Sequence, residues 1–246
     1  MQKTCKNMFA LRTQIRKCSA QAALANRGPA PSTQESPQTA LFDMEPLKQA
    51  DYFGVQKLVK INDLFEAKVH LGHMEGSLHP AMRPYMYGSR LGHCVFDLDT
   101  TASLLRRSLH VLANVVYRDG VVLFLSPPSQ GPTARATELC AQRCKEFSHV
   151  RKWREGTFTN SEKKFGLVTR LPDLCIFIGT PHDAIVECAK MNIPSIGIVD
   201  SNTDPTYITY HIPGNDDSAS SINYFCKLFS NTINLVKAKK NDKKSN

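Results

Sequence analysis

Asp200 and Asp204 stand four residues apart in "SIGIVDSNTDP", residues 195–205, where a short apolar run breaks into a polar turn. In open α/β folds, ligands lie just beyond the carboxyl ends of parallel strands. Two carboxylates at such a place could hold a metal, take a proton or attack a phosphate. The same residues also have a structural use. Asp and Asn side chains accept hydrogen bonds from backbone N–H groups two residues on, and Pro205 fixes the turn. Downstream, in "IPGNDD" (Ile212–Asp217), Gly214 and Asn215 tolerate positive φ, and Asp216 or Asp217 precedes a helix. A carboxylate there meets free N–H groups and the positive end of the helix dipole. Asp200, Asn202, Asp204, Pro205, Gly214, Asn215 and Asp217 are therefore read as turn and cap residues. A Rossmann-like enzyme using Asp200 and Asp204 is the alternative.

The rest of the chain supplies little to support such an enzyme. It holds neither GxGxxG nor GxxxxGK[ST]. The segment "SPPSQGP" after Val121–Leu125 loses N–H donors to its prolines, and "GTPHD" after Leu174–Ile178 has one glycine. His70 and His73 lie three apart with His79 beyond, but Gly72 weakens a helix there and no carboxylate or cysteine falls at ligand spacing. No Ser-His-Asp or Cys-His set can be assigned, and nothing resembles GxSxG. No cofactor and no metal are expected. The eight cysteines form no CxxC pair, and several sit in apolar runs, which reads as free thiols in a reducing compartment.

Charge points to a different class of partner. The formal net charge is +9, but it sits at the ends. Residues 1–40 hold Lys3, Lys6, Arg12, Arg16, Lys17 and Arg27 against Glu35, and residues 237–246 hold five lysines against Asp242. The body between them is neutral, so only local patches argue for a polyanion. One lies between Arg143 and Arg170, where eight basic residues face Glu146, Glu155 and Glu162 around Trp153, the only tryptophan. Met8, Phe9, Leu11 and Ile15 interleave with Lys6, Arg12, Arg16 and Lys17, the pattern of a mitochondrial presequence. No apolar run approaches the ~18 residues that span a bilayer, so no membrane partner is expected. The lysine-rich end, 237–246, reads as a disordered tail.

These residues must be positioned by alternating elements. Leu58, Ile61, Leu64, Phe65 and Val69 recur at helical spacing, and a Gly-, His- and Pro-rich loop spans Gly72–Gly92. His93–Asp99, Val121–Leu125, Leu174–Ile178 and Ser195–Asp200 read as strands. Helices are expected from a Thr100 cap to Gly120, over 133–147 with Leu139, Cys140, Cys144 and Phe147 inward, over Asp183–Met191 and over Ser218–Lys237. This rhythm predicts an α/β fold: a Rossmann-like or flavodoxin-like parallel sheet with helices on both faces, in a single domain. The boundaries expected are leader 1–40, extension 41–54, domain 55–236 and tail 237–246.

Seven stretches in one order carry a resemblance: "FEAKVHLGH", "HPAMRPYMYGSRLG", "FDLDTT", "KWREGTFTN", "LPD", "NIPSIGIVDSNTDP" and "YHIPGNDDSASSI". Together they resemble the universal small-subunit ribosomal protein number two, the S-two family, and with the basic leader its mitochondrial form. The resemblance implies a flavodoxin-like, non-enzymatic constituent of the small ribosomal subunit. Such a protein docks on ribosomal RNA and neighbouring ribosomal proteins near the junction of head and body, and not as a homo-oligomer. Bacterial members carry a long helical hairpin where only Ser161–Arg170 stand here, so that hairpin must be absent. On this reading Lys152, Arg154, Lys163 and Lys164 are candidates for phosphate contacts. Trp153 either stacks on a base or packs in the core. Arg83, Tyr85, Tyr87 and Arg90 form a second candidate surface, the alternative being tyrosines packed inward.

Overall fold

His93–Asp99, expected in the parallel sheet, is a strand only to Phe96 and belongs to a different sheet. In the computed structural model, which describes residues 49, 51–127, 131–166 and 170–245, β1 (Leu71–Met74), β2 (Met86–Arg90) and β3 (His93–Phe96) form an antiparallel sheet of order β1-β3-β2. The Gly72–Gly92 segment, expected as a loop, thus supplies two of its strands. The leader and most of the extension lie outside the described residues, as do Cys5 and Cys18. The described residues fall within one compact unit, Glu45–Asn246.

The parallel sheet follows from the continuous apolar runs. It contains β4 (Val122–Leu125), β5 (Phe147–His149), β6 (Leu174–Phe177), β7 (Ser195–Val199) and β8 (Tyr210–Pro213), in the order β5-β4-β6-β7-β8. Every neighbouring pair is parallel. Renumbered from the first strand this is 2-1-3-4-5, the flavodoxin-like winding. Strands β6 and β7 are buried throughout, as strands covered on both faces must be. Alternation sends Val122, Phe124, Leu174, Ile176, Ile196, Ile198 and Ile212 to one face. It sends Leu125, Cys175, Phe177 and Val199 to the other.

Helices α1 (Ile61–Glu66), α2 (Leu98–Tyr117), α3 (Gly131–Cys144), α4 (Ser161–Phe165), α5 (His182–Lys190) and α6 (Ala219–Ser245) complete the fold. α2, α3 and α6 cover the first face with Leu105, Leu109, Leu112, Cys140, Cys144, Phe225, Phe229 and Ile233. α5 covers the second with Ala184, Ile185 and Cys188, helped by Met82, Phe96, Phe158 and Ile208 from irregular segments and β3. Among the described residues between Ser161 and Arg170, the five-residue α4 is the element present. No described helix is long and apolar enough to cross a membrane. Cys94, Cys140, Cys144, Cys175, Cys188 and Cys226 are buried free thiols.

Several boundaries differ from the sequence reading, each for a local reason. α2 starts under Asp97, whose Oδ1 accepts from Asp99 N–H at 3.1 Å, and Thr100 instead donates to Asp97 Oδ2 at 2.9 Å. α2 ends at Tyr117; Gly120 N–H then returns to the Val115 carbonyl at 3.0 Å, where a Cβ would meet Val115 Cγ1 at 2.6 Å. α3 ends at Cys144 because Lys145 turns left-handed, at φ 55°. Phe147 therefore opens β5 and is 62% exposed, while Leu139, expected inward, is 43% exposed.

The expected disordered tail is helical as far as Ser245. Three of its lysines, Lys237, Lys239 and Lys240, have partners. Lys237 Nζ donates to the Cys144 carbonyl at 2.6 Å and pairs with Glu146. Lys240 Nζ donates to the Tyr117 carbonyl at 2.7 Å and pairs with Asp119 at 2.6 Å. Lys239 donates to the Tyr52 carbonyl at 2.9 Å. Cys144 and Tyr117 are the last residues of α3 and α2, whose carbonyls lack intrahelical donors and carry the negative dipole end.

Candidate functional site

At the carboxyl end of β7, Asp200 is buried to 1% exposure and faces inward. Its Oδ1 accepts from Ser201 N–H at 2.5 Å, and its Oδ2 lies 3.2 Å from His73 Nδ1. The opposite ring nitrogen, His73 Nε2, lies 3.1 Å from Asp217 Oδ2. Ser201 Oγ accepts from His73 N–H at 2.9 Å, and the Ser201 carbonyl accepts from His79 N–H at 2.8 Å. The turn thus ties β1 and the segment after it to the main sheet.

The groups of this cluster shift one another's titration. Burial works against a charged His73 ring, but Asp200 and then Asp217 and Asp216 outweigh it and hold the imidazole pKa above its ordinary value. Burial, followed by the nearby charges of Asp200 and Asp217, pushes the Asp216 carboxyl up to about 7. His73 held between the carboxylates of Asp200 and Asp217, with Asp216 beside Asp200, forms a structural clamp.

The other residues of the two turns are similarly committed. Asn215 Oδ1 accepts from Asp217 N–H at 2.9 Å and Ser218 N–H at 3.0 Å, so Asn215 does the work expected of an Asp cap. Gly214 passes so close to Val69 that a Cβ would meet Val69 Cγ1 at 2.8 Å, and Asn215 N–H donates to the Val69 carbonyl. Asp204 accepts from Thr206 N–H at 3.0 Å and from its hydroxyl at 2.5 Å, which lowers its pKa. Pro205 is buried, its carbonyl accepting from Ile208 N–H at 3.0 Å; Asn202 is exposed. Asp200 and Asp204 do not form a catalytic pair, since one is enclosed and the other closes a local turn. His70 stacks on Phe65 at 4.5 Å, and His79 Nδ1 accepts from Ala81 N–H at 3.4 Å. Among the described residues no group of three or more His, Cys, Asp and Glu could hold a metal ion.

The basic loop between β5 and α4 is built differently. Buried Glu187, on α5, accepts from Trp153 Nε1 at 3.3 Å, from Gly156 N–H, and from Phe158 N–H at 3.0 Å. Trp153 packs edge-on against Phe158 at 4.9 Å and His149 at 5.2 Å between ring centroids. The tryptophan is half-buried, an anchor for the loop. Lys152, Arg154, Lys163 and Lys164 are all exposed. α4 folds back over the loop: Lys164 Nζ lies 3.7 Å from where a Cβ on Gly156 would sit. Glu187 escapes sequence reading because its three donors lie 29 to 34 residues earlier and no motif marks it.

The second candidate surface divides. Tyr85 is half-buried, its hydroxyl 2.8 Å from His211 Nε2 and its ring edge-on at 5.0 Å. It ties the turn before β2 to β8. Arg83 and Arg90 are exposed, as is Tyr87 at 84%.

Comparison with known proteins bears on this arrangement. The model of the family "Ribosomal protein S2" matches residues 64–165 and 163–235. The small ribosomal subunit protein uS2m of Bos taurus is 41% identical over 225 residues, covering 89% of this chain and 75% of the bovine protein. The uS2m of Neurospora crassa is 38% identical over 185 residues, covering 64% of this chain and 42% of the fungal one. The uS2 of Anaplasma phagocytophilum is 36% identical over 219 residues, covering 70% of this chain and 73% of the bacterial one. The two matched segments meet within α4, overlapping at residues 163–165.

Proposed function

This chain belongs to the ribosomal protein S2 family, in its mitochondrial form, and from that premise we propose how it serves the ribosome. It is a structural constituent of the mitochondrial small ribosomal subunit, and no observation favours the enzyme built on Asp200 and Asp204. Lys152, Arg154, Lys163 and Lys164 form the phosphate-facing surface toward ribosomal RNA. The Asp200 and Asn215 turns shape a surface for neighbouring ribosomal proteins. The chain docks as a single copy near the junction of head and body.

One observation carries this reading. Exposed cations flank a loop whose backbone is pinned from below by buried Glu187. A pinned loop presents its cations without the entropy cost of ordering them on binding, and phosphate contacts position a protein without reading sequence. Replacing Lys152, Arg154, Lys163 and Lys164 together by alanine tests it. Retention of the variant on purified small subunits should weaken, and the slope of log affinity against log salt should fall by about 3. Wild-type retention at every salt concentration would overturn the assignment of these residues.

A further inference from the structure

The small antiparallel sheet has two edges, β1 and β2, and they are treated differently. The β1 edge is occupied: His73 N–H donates to Ser201 Oγ, and the next segment is tied down through His79 N–H and the Ser201 carbonyl. β2 pairs with β3 through Gly88↔Val95, Ser89↔Cys94 and Arg90↔His93, closed by Leu91 and Gly92. Both turn residues have positive φ, 53° and 77°. That is a two-residue hairpin, so Arg90 and His93 exchange hydrogen bonds and, by alternation, the Ser89 N–H and carbonyl point away from β3. Among the described residues no group meets that outward edge.

The hairpin is also chemically unusual for a solvated loop. Leu91 is 93% exposed and holds a left-handed conformation that leucine rarely adopts. Tyr87, on the same hairpin, is 84% exposed. No acid occurs between Glu75 and Asp97, while Arg83 and Arg90 are exposed. The edge therefore offers the backbone donor and acceptor of Ser89, next to an irregularity of the ladder between Met86 and Gly88, together with two large exposed side chains and positive charge.

Resting on the ribosomal reading, we propose that the open edge of β2 docks an extended acidic segment of a neighbouring small-subunit protein, which adds as a fourth strand. The partner's acidic side chains face Arg83 and Arg90, and its apolar ones face Tyr87 and Leu91. RNA suits this edge less well. A phosphodiester backbone supplies acceptors but not the matching donors, and it has no use for Leu91.

The test places a benzophenone cross-linker at position 87 of the full chain, assembled into small subunits and irradiated. The expected product joins position 87 to a peptide of a small-subunit protein with excess Asp and Glu. A product with ribosomal RNA, a product with a peptide lacking that excess, or no product would overturn the proposal. Two variants support the reading independently. Ser89→Pro removes only the outward N–H, and Leu91→Asn suits positive φ better while deleting the apolar tip. Each should fold with an unchanged or higher thermal midpoint and be retained on subunits roughly fivefold less. Wild-type retention of either folded variant would also overturn it. If the wild-type chain itself did not enter small subunits, the ribosomal reading would fail instead.

Discussion

The Asp200 turn and the Trp153 loop are both organised by one buried carboxylate, yet they present opposite surfaces. Asp200 is one of four titratable groups gathered together: His73 lies between it and Asp217, and Asp216 sits beside it. Glu187 accepts only from the backbone and the indole of its loop. Its loop's cations are left pointing outward. The difference separates a clamp from a docking surface: polar groups that satisfy one another hold a fold, while a pinned backbone with unspent charge can hold a partner.

The sharpest way to break this comparison is Glu187→Ala. It leaves the Phe158 N–H buried without an acceptor, alongside that of Gly156, and should cost about 3 kcal/mol in chemical denaturation. An unchanged midpoint would mean that Glu187 does not pin the loop. Asp200→Asn comes next. It keeps an acceptor for Ser201 but removes the charge facing His73, and should cost about 2 kcal/mol, with faster amide exchange across β1 as the local signature.

The pH response of the clamp is of similar size. Asp216, raised by burial to about 7, stays protonated in the folded chain where the unfolded chain has already released that proton. Its contribution is therefore fully present below the ordinary carboxylate range and is lost as pH rises through about 7. His73, raised above its ordinary value, acts in the same direction from about 6.5 upward. Relative to Asp216→Asn, the wild type should lose on the order of 2 kcal/mol between pH 5 and pH 8. A constant difference across that range would remove Asp216 from the cluster's proton balance. The smallest stability change belongs to the outward cations. Lys152→Ala with Lys163→Ala should move the unfolding free energy by no more than about 0.5 kcal/mol while lowering retention on subunits. A large stability loss would instead make those lysines part of the fold.

What could be read from sequence follows the range of the interactions. "VLFL", "LCIF" and "SIGIV" announce themselves because buried parallel strands are continuously apolar. β2 and β5 do not, since nearly every residue in them is at least partly exposed and neither shows clean alternation. The contact of Asp204 with Thr206 is local, two residues along the chain, the range over which an Asx turn can be read from sequence. The partner of Asp200 is 127 positions away in His73, and a histidine in a glycine-rich loop carries no mark of which carboxylate it will meet. Trp153 had two open readings because its motif fixes a neighbour, Gly156, without revealing that both answer to Glu187. Lys237, Lys239 and Lys240 look like part of a solvated run in composition, but a helix spaces them onto carbonyls contributed by distant segments.

Those lysines also bear on the order of events during synthesis. α6 lies C-terminal to both helices it fastens, so a ribosome making this chain releases it after α2, α3 and all five parallel strands. Until it emerges, Phe124 and Ile176 lack the cover of Phe225 and Phe229, and the nascent sheet has one unfinished apolar side. A chain cut short before Lys237 would be missing its fastening as well as its length. Docking of that one helix thus both covers the open side of the sheet and fastens the ends of α2 and α3.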